Sequence, residues 1–325
     1  MNSSEHFFND DPWASISEPC YPEGQRLYLN DSRFWVSIDE DGSLVFFVHE
    51  DGVKINRAVN NFAGVNVEII PYGDYGSRLK CVLTDYDSDL KDKFAIVAKD
   101  VAFHCSIYSG KELFSKSLGR IKSWSNFLKA KRLGLSDSEY LGFYGELYIF
   151  TKFILREFEP DDAIRFWIGP DSKKQDFTIN SFAVDIKSTM VGAANIITIS
   201  SLDQLEKVTE RLYLLRLIFN HATAEVGVTL EDLYRTCITD LENNLEAKSQ
   251  FLLKTSELYG KASNDQLTKP LLLSSNELYE VADDFPCLKR SQIHSGIVDA
   301  SYSIYVSRIS NFLVGRDIKE LIANG

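Results

Sequence analysis

The chain is short of the features that mark secreted, membrane-spanning or strongly basic proteins. Its 325 residues include only five cysteines, Cys20, Cys81, Cys105, Cys237 and Cys287, an odd count with no CxxC spacing. A disulfide framework or a structural zinc site is therefore not expected, and a reduced, cytoplasmic setting is. No apolar run approaches the ~20 residues that cross a bilayer. The opening MNSSEHFFNDDPW has no basic region followed by an apolar one, so it does not read as a secretory signal. There is no internal repeat and no low-complexity segment. Positive charge is also scarce, with 35 Lys and Arg against 47 Asp and Glu, a net charge of -12. Nucleic-acid binders usually carry a basic patch, because phosphate contacts supply much of their affinity. The densest basic run here is Lys116, Arg120, Lys122, Lys129, Lys131 and Arg132, with no acidic residue between them. It reads either as a solvated helix face or as a surface turned to DNA. Any nucleic-acid partner is thus bound weakly by the chain alone, or with help from other subunits.

An apolar content of 44% and a charged content of 25% are those of an ordinary globular protein, long enough for one large core or two smaller ones. Residues 1–24, polar with several Pro and Asp, are expected to form an arm. Residues 25–108 form a β-rich region ending in a helix. Strands are expected over 34–38, 44–49, 66–71 and 79–84, with DEDG as a hairpin signal between the first two. Phe94, Val97, Val101 and Cys105 fall at helical spacing, as do Leu113, Phe114, Leu118, Ile121, Trp124 and Leu128. The second set places a connecting helix in 109–135. His49 and His104 lack a second histidine at ligand spacing and read as structural or surface residues.

Ser136 with Glu139 is a capping box, and it starts a largely apolar helix to about Leu155. Glu146 sits within that apolar run, where a carboxylate must be ion-paired or functional. Asn195–Ser200 reads as a strand, and Ser201–Gln204 as the start of a helix or turn. RLYLLRLIFN at 211–220 reads as a central strand, although a buried helix fits the same pattern. Thr229–Gly260 is a long amphipathic helical stretch with a break near Asn243–Asn244. Strand signals follow at 271–274 and 301–306. Lys289 and Arg290 form a second small basic site, on the surface or against DNA or a partner.

The stretch with chemistry in it is Gln175–Ser188, QDFTINSFAVDIKS. Folded as a hairpin about Asn180–Ser181, it puts Phe177, Ile179, Phe182, Val184 and Ile186 on one face, because strand side chains alternate. Asp176, Thr178, Ala183, Asp185 and Lys187 fall on the other. A two-residue turn opposes Ile179 to Phe182 and, counting outward, Asp176 to Asp185. Opposed like charges are destabilising in a sheet. A hard divalent cation with oxygen ligands would compensate them, and Mg²⁺ is often held by one or two carboxylates plus substrate phosphate.

An Asp followed nine residues later by Asp-x-Lys across a hairpin resembles the PD-(D/E)XK nuclease superfamily. Residues 142–204 resemble a bacterial family known mainly as PD-(D/E)XK members. GELYIF at 145–150, WIGPD at 167–171, QDF at 175–177, VDIK at 184–187 and ITISS at 197–201 occur in that family's order. The resemblance implies an α/β (α+β), restriction-endonuclease-like mixed sheet flanked by helices. This core occupies residues 136–325 with a C-terminal extension, preceded by the smaller β-rich region. It implies Mg²⁺, with Mn²⁺ as a substitute, held by Asp176, Asp185, the Ile186 carbonyl and Glu146. Asp176, Asp185, Lys187 and Glu146 would be the catalytic set, with Lys187 acting by position and charge or through a lowered pKa. Thr178, Ser188 and Thr189 are near enough to donate to it, or are ordinary sheet hydroxyls. The literal Pro170–Asp171 lies outside the opposed register and reads as a turn.

The implied activity is hydrolysis of DNA phosphodiesters by an endonuclease of a bacterial restriction or phage-defence system, with partner subunits and no membrane. Double-strand cleavage would need a second site or a second event, which leaves a homodimer open. The acidity of the chain supports the alternative of a catalytically silent nuclease-like fold that binds DNA or scaffolds a larger complex.

Overall fold

The alternating stretch between Gln25 and Asp85 folds as a six-stranded antiparallel sheet in the computed structural model of the chain, which describes residues 11–28, 31–62, 64–74, 76–84, 88–124, 128, 133–169, 174–314 and 318–323. Its strands are β1 (Gln25–Tyr28), β2 (Asp31–Ile38), β3 (Leu44–Glu50), β4 (Ala58–Phe62), β5 (Val65–Tyr72) and β6 (Gly76–Leu83), in the order β1-β2-β3-β6-β5-β4. At the DEDG turn Gly42 takes a φ of 85°, which a glycine adopts without steric cost. Phe34, Val36, Phe46 and Val48 pair across β2 and β3 and are fully buried on one face. Helix α1 (Ser88–Cys105) buries Phe94, Val97, Val101 and Cys105, as its spacing predicts. The polar stretch read as an arm contributes a core residue, Trp13, stacked on Phe94 at 5.2 Å. Helix α2 (Gly110–Ser123) packs on α1, and buried Asp100 accepts from Arg120 Nε at 2.6 Å and from the Trp124 indole at 2.7 Å. Arg120, one member of the basic run, is therefore a structural cation. Lys129, Lys131 and Arg132 lie outside the described residues.

The chain divides into two compact units, Met1–Lys131 and Arg132–Gly325. In the second, α3 (Asp137–Ile149) begins at the expected capping box. The Glu139 amide donates to Ser136 Oγ at 3.3 Å, and the Ser136 amide to the Glu139 carboxylate at 2.9 Å. The helix continues through one wider turn, Phe150–Ile154, to Leu155–Glu157. A short helix that the sequence reading lacks, α4 (Pro160–Phe166), follows with Pro160 in its first turn, where a missing N–H costs nothing.

The main sheet has the order β11-β10-β8-β7, made by β7 (Phe177–Ile179), β8 (Phe182–Met190), β10 (Arg211–His221) and β11 (Leu271–Glu280). β8 and β10 run parallel, and the other pairs are antiparallel, so this is a mixed sheet within an α/β fold. Residues 211–220 are the central strand and not a helix; covered on both faces, they lose the alternation that would have separated the two readings. β9 (Ile196–Ile199) pairs instead with β12 (Tyr302–Tyr305) in a separate two-stranded sheet. Between β9 and β10, residues 202–205 make a single 3₁₀ turn. Thr229–Gly260 becomes α5 (Leu230–Asp240) and α6 (Leu245–Lys261). They part at Asn244, whose side chain accepts from the Ala247 amide and so starts a new helix. α7 (Asn264–Thr268) and α8 (Ile318–Ala323) complete the unit.

The two faces of the main sheet are covered differently. Phe219 meets the Tyr144 ring of α3 edge-on at 5.0 Å. Ala183, Leu212 and Leu214 face the other way, into a cluster with Ile197, Ile199 and Ile304 of the small sheet. α3 comes closest at Gly145, where a Cβ would lie 1.9 Å from Ser188 Oγ and 3.4 Å from Leu217 Cδ1. Gly145→Ala is expected to lower the melting temperature by an overpacking cost of about 1–3 kcal/mol. Ser188 Oγ is buried without a hydrogen-bond partner among the described residues, so Ser188→Ala should be neutral or stabilising. It should also recover part of the Gly145→Ala loss in the double variant, as thermal melts of the four proteins would read.

Candidate active site

The hairpin at the start of the main sheet has the register that its turn dictates. Ile179 opposes Phe182, Thr178 opposes Ala183 and Phe177 opposes Val184. Asn180 takes a φ of 46°, the left-handed region that a tight hairpin turn requires and that Asn tolerates. β7 ends at Phe177, one residue short of Asp176. There the Asp176 amide still donates to the Val184 carbonyl at 3.1 Å, but the Ile186 amide donates to the Asp176 side chain, Oδ2, at 2.6 Å. The carboxylate takes the place of a backbone acceptor and is held at the sheet edge. The Ile168 and Gly169 amides both donate to the Asp176 carbonyl, at 2.8 and 3.0 Å, which wraps the preceding segment around it.

Glu146, the anomaly in the apolar helix, points to the same place. Trp167 Nε1 donates to Glu146 Oε2 at 2.9 Å. The Trp167 ring is fully buried, stacked on Phe150 at 4.7 Å and bridged through its backbone to Phe177. A Cβ on Gly169 would lie 2.6 Å from Glu146 Oε2 and 3.2 Å from Asp176 Oδ1. The absence of a side chain at 169 is what lets the two carboxylates stand side by side. Asp171, the turn residue of the literal Pro-Asp, lies outside the described residues.

Asp185 is wholly buried, and Lys187 Nζ lies 2.7 Å from its Oδ2. Asp185 Oδ1 has no hydrogen-bond partner among the described residues. Lys187 also donates to Gln204 Oε1 at 3.3 Å, and that oxygen accepts from the Ser200 amide at 2.8 Å. Gln175, buried beside Asp176, donates through Nε2 to the carbonyls of Asp203, Gln204 and Glu206 at 3.1, 3.0 and 2.7 Å. The 3₁₀ turn that presents Gln204 to Lys187 is thus fastened to the residue before Asp176. One strand over, Arg216 pairs in register with Lys187 and gives its charge to Glu277 at 2.9 Å.

Burial, together with the charges of Glu146 and Asp185, holds the Asp176 carboxyl well above its ordinary value. Burial raises Asp185 too, against the opposing pull of Lys187. Burial alone would lower the Lys187 ammonium, but Asp185 and Asp176 overcome it, so the net direction is upward and Lys187 is a cation here. The donors fit a hard divalent ion: carboxylate oxygens, one of them without a partner, beside the Ile186 backbone. Among the described residues no group of three or more His, Cys, Asp or Glu side chains could hold an ion by itself. An ion would need further oxygens from the Ile186 carbonyl and from substrate.

Trp167, Gln175 and Gln204 were not among the expected site residues, although Trp167 and Gln175 fall inside motifs that carried the resemblance and Gln204 closes the resembling span. Their partners are distant in sequence, and nothing local announces them. Of the hydroxyls considered, Ser188 faces Gly145 of α3. Lys289 donates to the Asp283 carbonyl, and Arg290 pairs with Asp203 at 2.7 Å, which ties that basic site to its own loops. His104 lies 3.4 Å from Asp100. No described helix is long and apolar enough to cross a membrane.

A model of the family described as "Putative PD-(D/E)XK family member" matches residues 10–307. No curated protein and no solved structure matches the chain.

The raised carboxyls set a direction for stability against pH. A carboxyl whose folded pKa lies above its unfolded value stabilises the fold fully below the ordinary 3.8, and that contribution is lost as pH rises through the folded value. At neutral pH the cluster therefore works against the fold. Asp176→Asn keeps an acceptor for the Ile186 amide and removes one charge. Its melting temperature at neutral pH should exceed that of the natural protein, by about 2–4 °C for each kcal/mol of repulsion relieved. The gap should narrow as the buffer is acidified, as differential scanning fluorimetry across pH would measure.

Proposed function

Because the chain belongs to the PD-(D/E)XK family, with its restriction-endonuclease-like fold, we propose that it is a metal-dependent nuclease that hydrolyses DNA phosphodiesters. The observation that carries this reading is the convergence of Asp176, Asp185, Lys187 and Glu146 at one end of the main sheet. Two buried aspartates with raised pKa values, one keeping an unpartnered oxygen, are costly unless something cationic completes them. Asp176, Asp185, the Ile186 carbonyl and Glu146 would hold Mg²⁺ or Mn²⁺, which supplies Lewis-acid polarisation of the scissile phosphate and charge stabilisation when bound.

The chain's own residues do the rest. The Ile186 amide fixes the rotamer of Asp176, and the Trp167 indole fixes that of Glu146. Lys187 is a cation, so it serves by charge and position: its ammonium hydrogen-bonds a phosphate oxygen or orients the attacking water rather than taking that water's proton. Gln204 holds the Lys187 side chain on this side of the sheet. A cytoplasmic setting, DNA as substrate and a place in a bacterial restriction or defence system with partner subunits complete the proposal. The residues motivate the chemistry; the setting follows from the family resemblance.

One observation favours a second reading. Lys187 already compensates Asp185 directly, and no described cluster of ligand side chains is closed around an ion. A catalytically silent nuclease-like fold that binds DNA or scaffolds a larger complex would look the same.

Supercoiled, linear and single-stranded DNA incubated with Mg²⁺, Mn²⁺ or EDTA separates the readings. Cleavage should require the metal and fall about 10²–10³-fold in Lys187→Ala. Cleavage that persists in EDTA or in Lys187→Ala would sink the mechanism. DNA binding without cleavage, under every metal condition, would favour the silent fold.

A further inference from the structure

The first unit has a concavity that the nuclease chemistry does not use. On the face of the six-stranded sheet opposite Phe34, Val36, Phe46 and Val48, side chains from β1, β2, β3, β5 and β6 enclose about 580 Å³, within the range of small-molecule sites. Its floor is aromatic: Trp35 is half-buried, and Phe47, beneath the Arg78 guanidinium, is fully buried. Trp35 and Phe47 oppose each other in register, with parallel rings whose centroids lie 6.1 Å apart. Trp35 is half-buried and fixed by its indole, which donates to the Ser32 carbonyl at 2.6 Å.

The walls are guanidinium groups. Arg26 is exposed and lies 5.5 Å over the Trp35 ring. Arg78 is only 5% exposed and sandwiched, with its guanidinium 3.6 Å from the Tyr72 centroid and 4.2 Å from that of Phe47. Arg78 donates through Nη1 to the Pro22 carbonyl at 2.7 Å, while its Nε has no partner among the described residues. Two further polar atoms of the wall, His49 Nδ1 and Glu50 Oε2, are likewise unpartnered there. Such groups are expensive to bury unmatched.

Three ligand chemistries can be weighed against this lining. A quaternary or methylated cation would be repelled by the two guanidinium groups that lie against these rings, Arg26 at Trp35 and Arg78 at Phe47 and Tyr72. A simple anion would use the arginines and leave the Trp35–Phe47 floor without a purpose. A flat heterocycle with a negative tail uses both accessible parts: its ring on the half-buried Trp35, in place of the exposed Arg26 guanidinium, and its tail paired with Arg26. We propose that this concavity binds a nucleobase with its attached phosphate, stacked on Trp35 and held by Arg26. The base belongs either to a free nucleotide or to an unpaired nucleotide of a nucleic-acid strand. Binding here does not require the nuclease reading to hold, and it can be measured with metal absent.

The chain supplies its own probe. Of its four tryptophans, Trp13, Trp124 and Trp167 are buried and Trp35 alone is not, so a base stacking here quenches Trp35 fluorescence selectively. The full-length protein in EDTA is titrated with dAMP, dCMP, dTMP, inorganic phosphate, a short single-stranded oligonucleotide and its abasic counterpart. Saturable quenching by mononucleotides identifies a free nucleotide as ligand, and quenching by the oligonucleotide alone identifies a base within a strand. Either outcome supports the site. Arg26→Ala, at an exposed position, should weaken binding. Trp35→Leu, followed by calorimetry, should weaken it between about fivefold and a hundredfold, the span of base–aromatic stacking. Melting temperatures of both variants control for folding. The proposal is overturned if neither nucleotide nor oligonucleotide quenches at millimolar concentration. It is overturned equally if phosphate or the abasic strand matches them, or if both variants bind as the natural protein does. Cleavage assayed in the same variants with Mg²⁺ reports on the second unit separately.

Discussion

Where β7 stops, the Asp176 carboxylate accepts the Ile186 amide that a backbone carbonyl would otherwise take. The geometry of the site depends on that substitution. It ends the ladder, turns Asp176 out of regular strand conformation and brings its second oxygen toward Glu146 across the bare Cα of Gly169. The Ile186 amide keeps an acceptor through the exchange, so the sheet loses no hydrogen bond there. Trp167 repeats the device from the other side, its buried indole directed at Glu146.

The electrostatic consequence is a cluster that the fold alone does not balance. Three carboxylates share one end of the sheet with one ammonium, and burial pushes both aspartates upward. Lys187 lies against Asp185 at 2.7 Å and also draws Asp176 downward, but burial and the charges of Glu146 and Asp185 outweigh it. Perturbed carboxylates of this kind gather where chemistry is done, although structural ion-pair networks also produce them. Here the partners differ in what they are anchored to: Asp176 to the strand edge, Glu146 to an indole, Lys187 to Gln204. Each anchor fixes a position without neutralising a charge, as expected for groups kept ready for a cation and a phosphate.

The acidity of the chain poses a separate question, because the longest basic run spends Arg120 on Asp100, and Arg290 pairs with Asp203. Neither is left over for phosphate. The first unit gathers arginine differently, by laying guanidinium groups over aromatic rings on one face of a sheet. Recognition by stacking depends less on net charge than recognition by phosphate contacts, so a protein of net charge -12 can still hold a nucleotide in such a place.

Much of the second unit could be read from residues alone because its signals are local. Period-two alternation about Asn180–Ser181 determined the hairpin register, and the Ser136/Glu139 box determined where α3 begins. Glu146 stood out because a carboxylate in an apolar helix needs a reason. What the sequence left undecided is non-local. Whether Arg211–His221 was strand or helix depended on cover from both sides, and β9 left the main sheet because its partner, β12, comes a hundred residues later. Trp167, Gln175 and Gln204 joined the site only through bonds to distant residues, and Arg78 met Tyr72 only because β5 and β6 are neighbours. Alternation and capping are settled within a few residues by backbone geometry. Which charge is buried beside which, and which ring lies under which guanidinium, is settled only by the packing of segments that chain order does not bring together.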